Sequence, residues 1–220
     1  MSRTTSALTL FLLCGVVATL SAAEKGFKPI FNGENLDGWV YGTRKGVENK
    51  SGKGYQVEKG ILFCTRDDGG NLFTTKEYSD FVFRFEFRLE PNANNGIGIR
   101  APLEGDAAYA GMEIQVLDDS GSKYTDLRPA QYHGSVYDVV AARRGALAPV
   151  GEWNSEEITA KGRRITVKVN GKVTVDANLD EIKDPEVLKK HPGLARKSGR
   201  IGFLGHGARV EFRNLRIKER

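Results

Sequence analysis

Two short segments carry the residues best suited to chemistry. In Asn94-Asn95-Gly96-Ile97-Gly98-Ile99-Arg100, the isoleucines alternate with Gly98 and Arg100. In Gly111-Met112-Glu113-Ile114-Gln115-Val116-Leu117-Asp118, the apolar Met112, Ile114 and Val116 alternate with Glu113 and Gln115. Side chains change faces at each residue of a strand, so both segments predict strands with one apolar and one polar face. The polar face then gathers a carboxylate, a carboxamide and a guanidinium beside two glycines, and strand glycines often mark close approach by a ligand or another backbone. A carboxylate so placed can serve as a general base or acid, and the whole set suits a groove for a sugar. The plainer alternative is a cross-strand ion pair between Glu113 and Arg100 that needs no substrate.

The three histidines come next. His133 lies in Gln131-Tyr132-His133-Gly134-Ser135-Val136-Tyr137-Asp138, and His206 lies between Gly205 and Gly207. Either imidazole can move a proton near neutral pH; His191, before Pro192, is expected to pack. The absence of His-x-His, His-Glu-x-x-His and cysteine clusters argues against a tetrahedral zinc site. A looser divalent-metal site drawing on Glu113, His133 or His206 stays open. Serine hydrolase, nucleotide-triphosphatase and dinucleotide fingerprints are absent too. Glu113-x-Gln115-x-x-Asp118 resembles the Glu-x-Asp-x-x-Glu strand of laminarinase-type jelly-roll glucanases. Here the middle Asp is Gln115 and the last Glu is the shorter Asp118, which weakens a mechanism that needs two carboxylates at a set separation.

The elements that must position these groups are mostly short strands. Phe81–Leu89 has a large apolar residue at every odd position and Arg84, Glu86 and Arg88 on the other face, the pattern of a strand packed on a core. Residues 55–57 and 61–64 flank Lys59-Gly60, and residues 164–169 and 172–176 flank Asn170-Gly171, both hairpin signals. Further strands are expected over 28–31, 38–41, 200–204 and 210–217. Helix signals are scarce; Asp184 as N-cap and Pro185 at the first position predict about two turns over 185–190. The long segment 120–151 has the length of a functional loop. Many strands and few helices predict an all-β fold, two packed antiparallel sheets in a sandwich or jelly roll. A tight turn at Pro91 would put Glu86 opposite Arg100 and Arg88 opposite Gly98. A second antiparallel pairing would then bring Arg100 near Glu113 and Gly98 near Gln115, one polar patch within about 5 Å contacts.

Bulk properties narrow the classes. The chain has 220 residues. Arg3 precedes an apolar run over 7–20, and Ser21-Ala22-Ala23 supplies a small-x-small pattern. Residues 1–23 are therefore expected to be a secretory signal peptide cut after Ala23, and 24–220 a single domain. The apolar run is short for a span of about 20 residues, and bulky Leu13 before Cys14 does not suit a lipoprotein signal. After cleavage only Cys64 would remain, so an intramolecular disulfide is excluded and packing must hold the fold; a hydrophobic content of 40% permits that. Cys64, in Ile61-Leu62-Phe63-Cys64-Thr65, has the setting of a buried structural thiol. The net charge of +5 is spread along the sequence, without a basic stripe interleaved with aromatics, which argues against nucleic acid. No segment of 24–220 is apolar enough to enter a bilayer. Oligomeric state is not legible.

With these residues assembled, the chain resembles the 3-keto-disaccharide hydrolase family, concanavalin A-like jelly-roll domains. The likeness runs through Ile30-Phe31-Asn32-Gly33-Glu34-Asn35-Leu36-Asp37-Gly38-Trp39, residues 94–100, 111–118, 131–137, 149–154 and 198–207. It ends in Val210-Glu211-Phe212-Arg213-Asn214-Leu215-Arg216-Ile217-Lys218. The opening Phe-Asn-Gly-x-x-Leu-x-Gly-Trp and the closing Glu-Phe-Arg-Asn are specific in combination. The resemblance implies an exported bacterial enzyme, periplasmic or secreted, acting on a small carbohydrate. A ketone at carbon 3 acidifies the hydrogen on carbon 2; a base removes it, the group at carbon 1 leaves by elimination, and water adds back. That route needs one base, stabilisation of developing negative charge and one acid. Side-chain chemistry then gives Glu113 as base, Arg100 and Gln115 as binders of the keto or enolate oxygen, and His133 or His206 as proton donor. Tyr137, Trp39 and Glu86 become sugar contacts, and Trp153 is expected in the core. A non-catalytic carbohydrate-binding module and a conventional jelly-roll glucanase remain alternatives, because fold alone does not fix function.

Overall fold

The computed structural model describes residues 24–43, 54–66 and 69–220; the expected signal segment lies outside them. Strands β1 to β5 span Lys28–Pro29, Trp39–Tyr41, Tyr55–Glu58, Ile61–Cys64 and Gly70–Thr74. Strands β6 (Phe81–Leu89) and β7 (Asn94–Ala101) lead to helix α1 (Ala107–Ala110) and β8 (Met112–Leu117). Then come β9 (Trp153–Lys161), β10 (Arg164–Val169), β11 (Lys172–Asn178), helix α2 (Pro185–Lys190), β12 (Arg200–Gly205) and β13 (Val210–Glu219). They form two antiparallel sheets. The larger has the order β11-β10-β9-β6-β13-β4-β3 with β1 also on β13, and the smaller runs β2-β5-β12-β7-β8.

Alternation explains why the two sheets stack. Phe81, Phe83, Phe85, Phe87 and Leu89 of β6 meet Ile97 and Ile99 of β7, Met112, Ile114 and Val116 of β8, and Ile201 and Phe203 of β12 in one buried core. Each such large side chain contributes roughly 1.5–3 kcal/mol when removed from water. The aromatic core is layered, with Phe203 4.2 Å from Phe212 and 5.4 Å from Trp39. Cys64 is fully buried, as expected. The Asn170-Gly171 turn takes left-handed φ at both residues, +49° and +77°, which matches the strand twist of a two-residue hairpin. In α2 the Asp184 carboxylate accepts from the N–H groups of Glu186 and Val187, the predicted cap.

Three expectations fail here. The turn after β6 is not a hairpin, since β6 and β7 belong to different sheets. Both edges of β6 are already taken, by β13 and β9, so β7 has no place beside it. Asn92, at φ +59°, donates its N–H to Asp118 Oδ2 at 2.7 Å and redirects the chain across the sandwich. Glu86 and Arg100 are therefore not opposed. Trp153 is half-buried on the outer face of the larger sheet, between the guanidinium groups of Arg88 and Arg213 at 4.8 and 3.9 Å from its ring.

Candidate active site

Strands β7 and β8 are antiparallel neighbours, with Gly98 opposite Glu113 and Gly96 opposite Gln115. The expected register, with Arg100 opposite Glu113, is thus wrong by two residues. Gly96 matters for a specific reason. A Cβ at that position would lie 1.9 Å from Glu113 Oε1, so the carboxylate rests directly over the bare backbone of its neighbour. Gly98 serves packing instead: a Cβ there would meet Phe73 at 3.3 Å and Leu204 at 3.4 Å. Phe73, Leu204, Ala101 and Ala107 form a small second apolar cluster on this outer face. The space above both glycines is filled by the protein's own side chains.

Two further pieces close the site. Residues 133–137 run along the free edge of β8. Gln115 N–H donates to Ser135 O (3.0 Å), Gly134 N–H to Gln115 O (2.8 Å) and Tyr137 N–H to Glu113 O (2.8 Å). That strap delivers Tyr137 to the face where Glu113 points. On another side stands α1, started by Asp106, whose carboxylate accepts from Ala108 N–H at 3.2 Å, and ended at Gly111. It presents Tyr109.

The resulting hollow has a volume of about 330 Å³ and is lined by Glu113, Gln115, Asn94, Asn71, Asp106, Tyr109, Tyr137 and His206, with Ala108, Leu204, Gly205 and Gly207. Glu113 and Gln115 are both buried, whereas His206 is exposed at the rim. Gln115 Nε2 donates to Asn94 Oδ1 at 2.8 Å, which fixes one amide against the other. Gln131 Nε2 donates to the Tyr137 hydroxyl at 3.2 Å, leaving the phenol's own hydrogen for another acceptor. Burial pushes the Tyr109 phenol above its ordinary pKa, so it remains a neutral donor in ordinary buffers. Its ring packs on His191, 4.9 Å between centroids, and burial lowers the pKa of that imidazole. Two carboxylates, three side-chain amides, two phenols and an imidazole around a hollow of this size can hold a hydroxylated ring and exchange a proton with it.

Of the residues singled out in the sequence, Glu113, Gln115, Tyr137 and His206 meet here. Four others do not. Arg100 is displaced by a β-bulge: Ala101 pairs with Arg200 and Gly98 with Gly202, so Ile99 and Arg100 share a single partner position and Arg100 adopts φ +48°. Its side chain is buried, donating to Ser79 O, Gly162 O, Arg196 O and Asp80 Oδ1 at 2.9–3.2 Å. It ties loops together and does not line the hollow. Trp39 is a core residue whose Nε1 donates to Ile30 O at 3.0 Å. Glu86 lies on the outer face of the opposite sheet, held by Arg213 (2.7 Å) and Asn214 (2.6 Å). His133 sits between the sheets beside Phe87, its ring 5.0 Å away.

Asp118, the last carboxylate of the glucanase-like pattern, is occupied by the Asn92 and Ser120 backbone N–H groups and the Ser120 hydroxyl. Among the described residues no three His, Cys, Asp or Glu side chains are grouped to hold a metal ion. Among the described residues two other hollows are clearly larger. One, about 650 Å³, lies on the outer face of the larger sheet, where Glu24, Glu86, Asn214 and Arg216 bind one another. The other, about 550 Å³, lies beneath residues 143–150.

Asn71, Asp106 and Tyr109 were missed by sequence reasoning. Asp106-Ala107-Ala108-Tyr109-Ala110-Gly111 does carry a start and a stop signal for a helix. Four residues are too few for periodicity to show.

The same architecture recurs in other proteins. A crystallised Parabacteroides distasonis protein, provisionally described as a glycosyl hydrolase, superposes with a TM-score of 0.72 over 88% of this chain and 99% of its own, at 23% identity. An endo-β-1,3(4)-glucanase of family GH16 superposes with a TM-score of 0.54 over 90% of this chain and 94% of its own, at 13% identity. These likenesses show the fold, a two-sheet jelly roll. In sequence, the chain is 24% identical to a 3-keto-disaccharide hydrolase of Bacteroides thetaiotaomicron, over 88% of this chain and 78% of that protein. The family model of the 3-keto-alpha-glucoside-1,2-lyase-like domain matches residues 26–218, from before β1 to the last strand, and the chain belongs to that family.

Proposed function

We propose that the protein is an exported enzyme that cleaves 3-keto-glycosides, 3-keto-disaccharides among them, by proton abstraction at carbon 2, elimination and hydration. The observation that carries this reading is the Glu113 carboxylate, set over Gly96 on the floor of a hollow furnished for a polyol. The family and the name of the Bacteroides relative supply the substrate class. A hollow of about 330 Å³ is at the small end of ligand sites, which run from roughly 300 to 1,000 Å³. That size favours a mono- or disaccharide over a long glycan.

In this scheme Glu113 takes the proton from carbon 2. The electron pair of that C–H bond moves into the ring as the enolate, with negative charge developing on the carbon 3 oxygen. Gln115 and Asn94 amides and the Tyr109 and Tyr137 phenols offer donors to that oxygen and to the hydroxyls. The enolate then expels the oxygen at carbon 1, which leaves with a proton from His206, and a carbon 1–carbon 2 double bond forms. Water adds its oxygen to carbon 1 while a proton returns to carbon 2, so the net change is hydrolysis. Only one carboxylate is used as base, and Asp118 has no part. Export rests on the leader-like composition of residues 1–23. Among the described residues no helix is long and apolar enough to cross a membrane.

The test is direct. The protein is incubated with a 3-keto-glucoside and with the matched unoxidised glucoside, and released sugar is followed. Release from the oxidised substrate alone is expected. Equal release from both would mark a conventional glycosidase, and binding without release would mark a lectin.

A further inference from the structure

The mechanism above leaves one buried pair unused. His133 and Glu156 face each other between the sheets, Nε2 to Oε2 at 3.5 Å, with both side chains almost wholly out of water. Glu156 lies on the inner face of β9 in line with Ile158 and Ala160, and neither of its oxygens has a hydrogen-bond partner. Burial raises its pKa, against the pull of His133. Two polar groups in an apolar core are costly to keep there, so what they hold is informative.

We infer that His133 is a positioning residue for the pocket, acting through the edge of β8; this rests on the reading of that pocket given above. The strap 133–137 binds β8 by three backbone hydrogen bonds, at Glu113 O and at both backbone groups of Gln115. The next place on that ladder belongs to Leu117 N–H, and the strap offers no carbonyl to it. The imidazole does instead: Leu117 N–H donates to His133 Nδ1 at 3.2 Å. A ring nitrogen that accepts carries no proton, which places the ring's hydrogen on Nε2, toward Glu156. Glu156 faces that hydrogen across 3.5 Å, and Phe87 packs on the ring to fix its plane. The side chain completes the ladder from which Glu113, Gln115 and Tyr137 all project. A shift of about 1 Å in the strap would move the Tyr137 phenol relative to the Glu113 carboxylate, and misplacement on that scale can cost up to a hundredfold in rate.

Three replacements at this position separate the roles. His133→Asn keeps an acceptor about where Nδ1 lies, His133→Gln keeps an amide on the Glu156 side, and His133→Leu keeps neither. Amide hydrogen exchange at Leu117 and Gln115 is measured in the intact protein, together with kcat and KM on a 3-keto-glucoside. The expected result is faster exchange and a kcat reduced roughly ten- to a hundredfold for H133L and H133Q, with KM little changed and H133N close to the parent in both readouts. Parental exchange and kcat in H133Q, or an H133N no better than H133L, would overturn the inference. E113Q serves as the control that loses turnover while β8 exchanges as in the parent. A parent protein that turns over no keto-sugar would remove the functional reading alone, because exchange at Leu117 still decides whether His133 holds β8.

Discussion

The outer faces of the two sheets were built from the same sequence pattern and came out differently. On β6, Arg84, Glu86 and Arg88 alternate with phenylalanines, just as Glu113 and Gln115 alternate with apolar residues on β8. What differs is the residue across the ladder. Arg84 lies opposite Glu157, Glu86 opposite Arg213 and Arg88 opposite Glu211, and each pair closes as a salt bridge. Glu113 and Gln115 lie opposite Gly98 and Gly96, and α1 and the strap rise around them to leave a hollow. Opposite charges across a ladder make a neutral surface. Glycines across a ladder leave room for a side chain to lie down and for neighbouring loops to wall it in.

Amide replacements at the two acidic residues should have opposite consequences. Glu113→Gln is expected to lower kcat by roughly a thousandfold, the usual scale for losing a positioned base, while Glu86→Gln leaves turnover near the parent level; equal losses would erase the distinction. Arg100→Ala tests the structural role of the bulged position. Leaving its buried carbonyl partners unpaired is expected to destabilise the fold by about 3 kcal/mol or more, seen in denaturant midpoint, with KM unaffected in whatever fraction stays folded. Gly96→Ala tests the seat of the Glu113 carboxylate. The new Cβ displaces the carboxylate, so kcat falls roughly a hundredfold while the melting temperature changes little.

Smaller effects concern pH. Burial raises the pKa of Glu156 in the folded protein above its unfolded value of about 4.3. The folded state thus holds a proton that the unfolded state has lost, and stability declines as pH rises from about 4.3 through the folded pKa. Glu156→Gln removes that decline, so its advantage over the parent should grow as pH rises across the same window, measured by thermal melts at stepped pH. A constant difference across the window would contradict the assignment. Smallest of all, removing the Glu86–Arg213 pair should change stability by less than about 1 kcal/mol, as partly exposed pairs do.

Much of the fold was legible because it depends on short-range signals. The five-fold apolar repeat of residues 81–89, the Asn170-Gly171 turn and the Asp184-Pro185 cap each settle a local conformation, and all three stand in the structure. The polar face of β7 and β8 that lines the hollow was legible for the same reason. Register was not. It depends on which strand fills the edges of β6, a non-local matter, and on a bulge at Arg100 that no local signal announces. His133 misled for a related reason: Gly134 and the polar run around it suggest an exposed loop, whereas the strap pairs with β8 and carries the ring inward. His206, between glycines at the end of β12, reached the pocket rim as a strand-end residue can.

The proposed role of Glu113 is to remove the proton from carbon 2 of a 3-keto-sugar. It is tested most directly by running the reaction in deuterium oxide and locating the label in the released keto-sugar by NMR at early time, against an enzyme-free control and the E113Q protein. Deuterium at carbon 2 with the parent protein, absent with E113Q, is the predicted result. Sugar released by the parent with hydrogen retained at carbon 2 would contradict it.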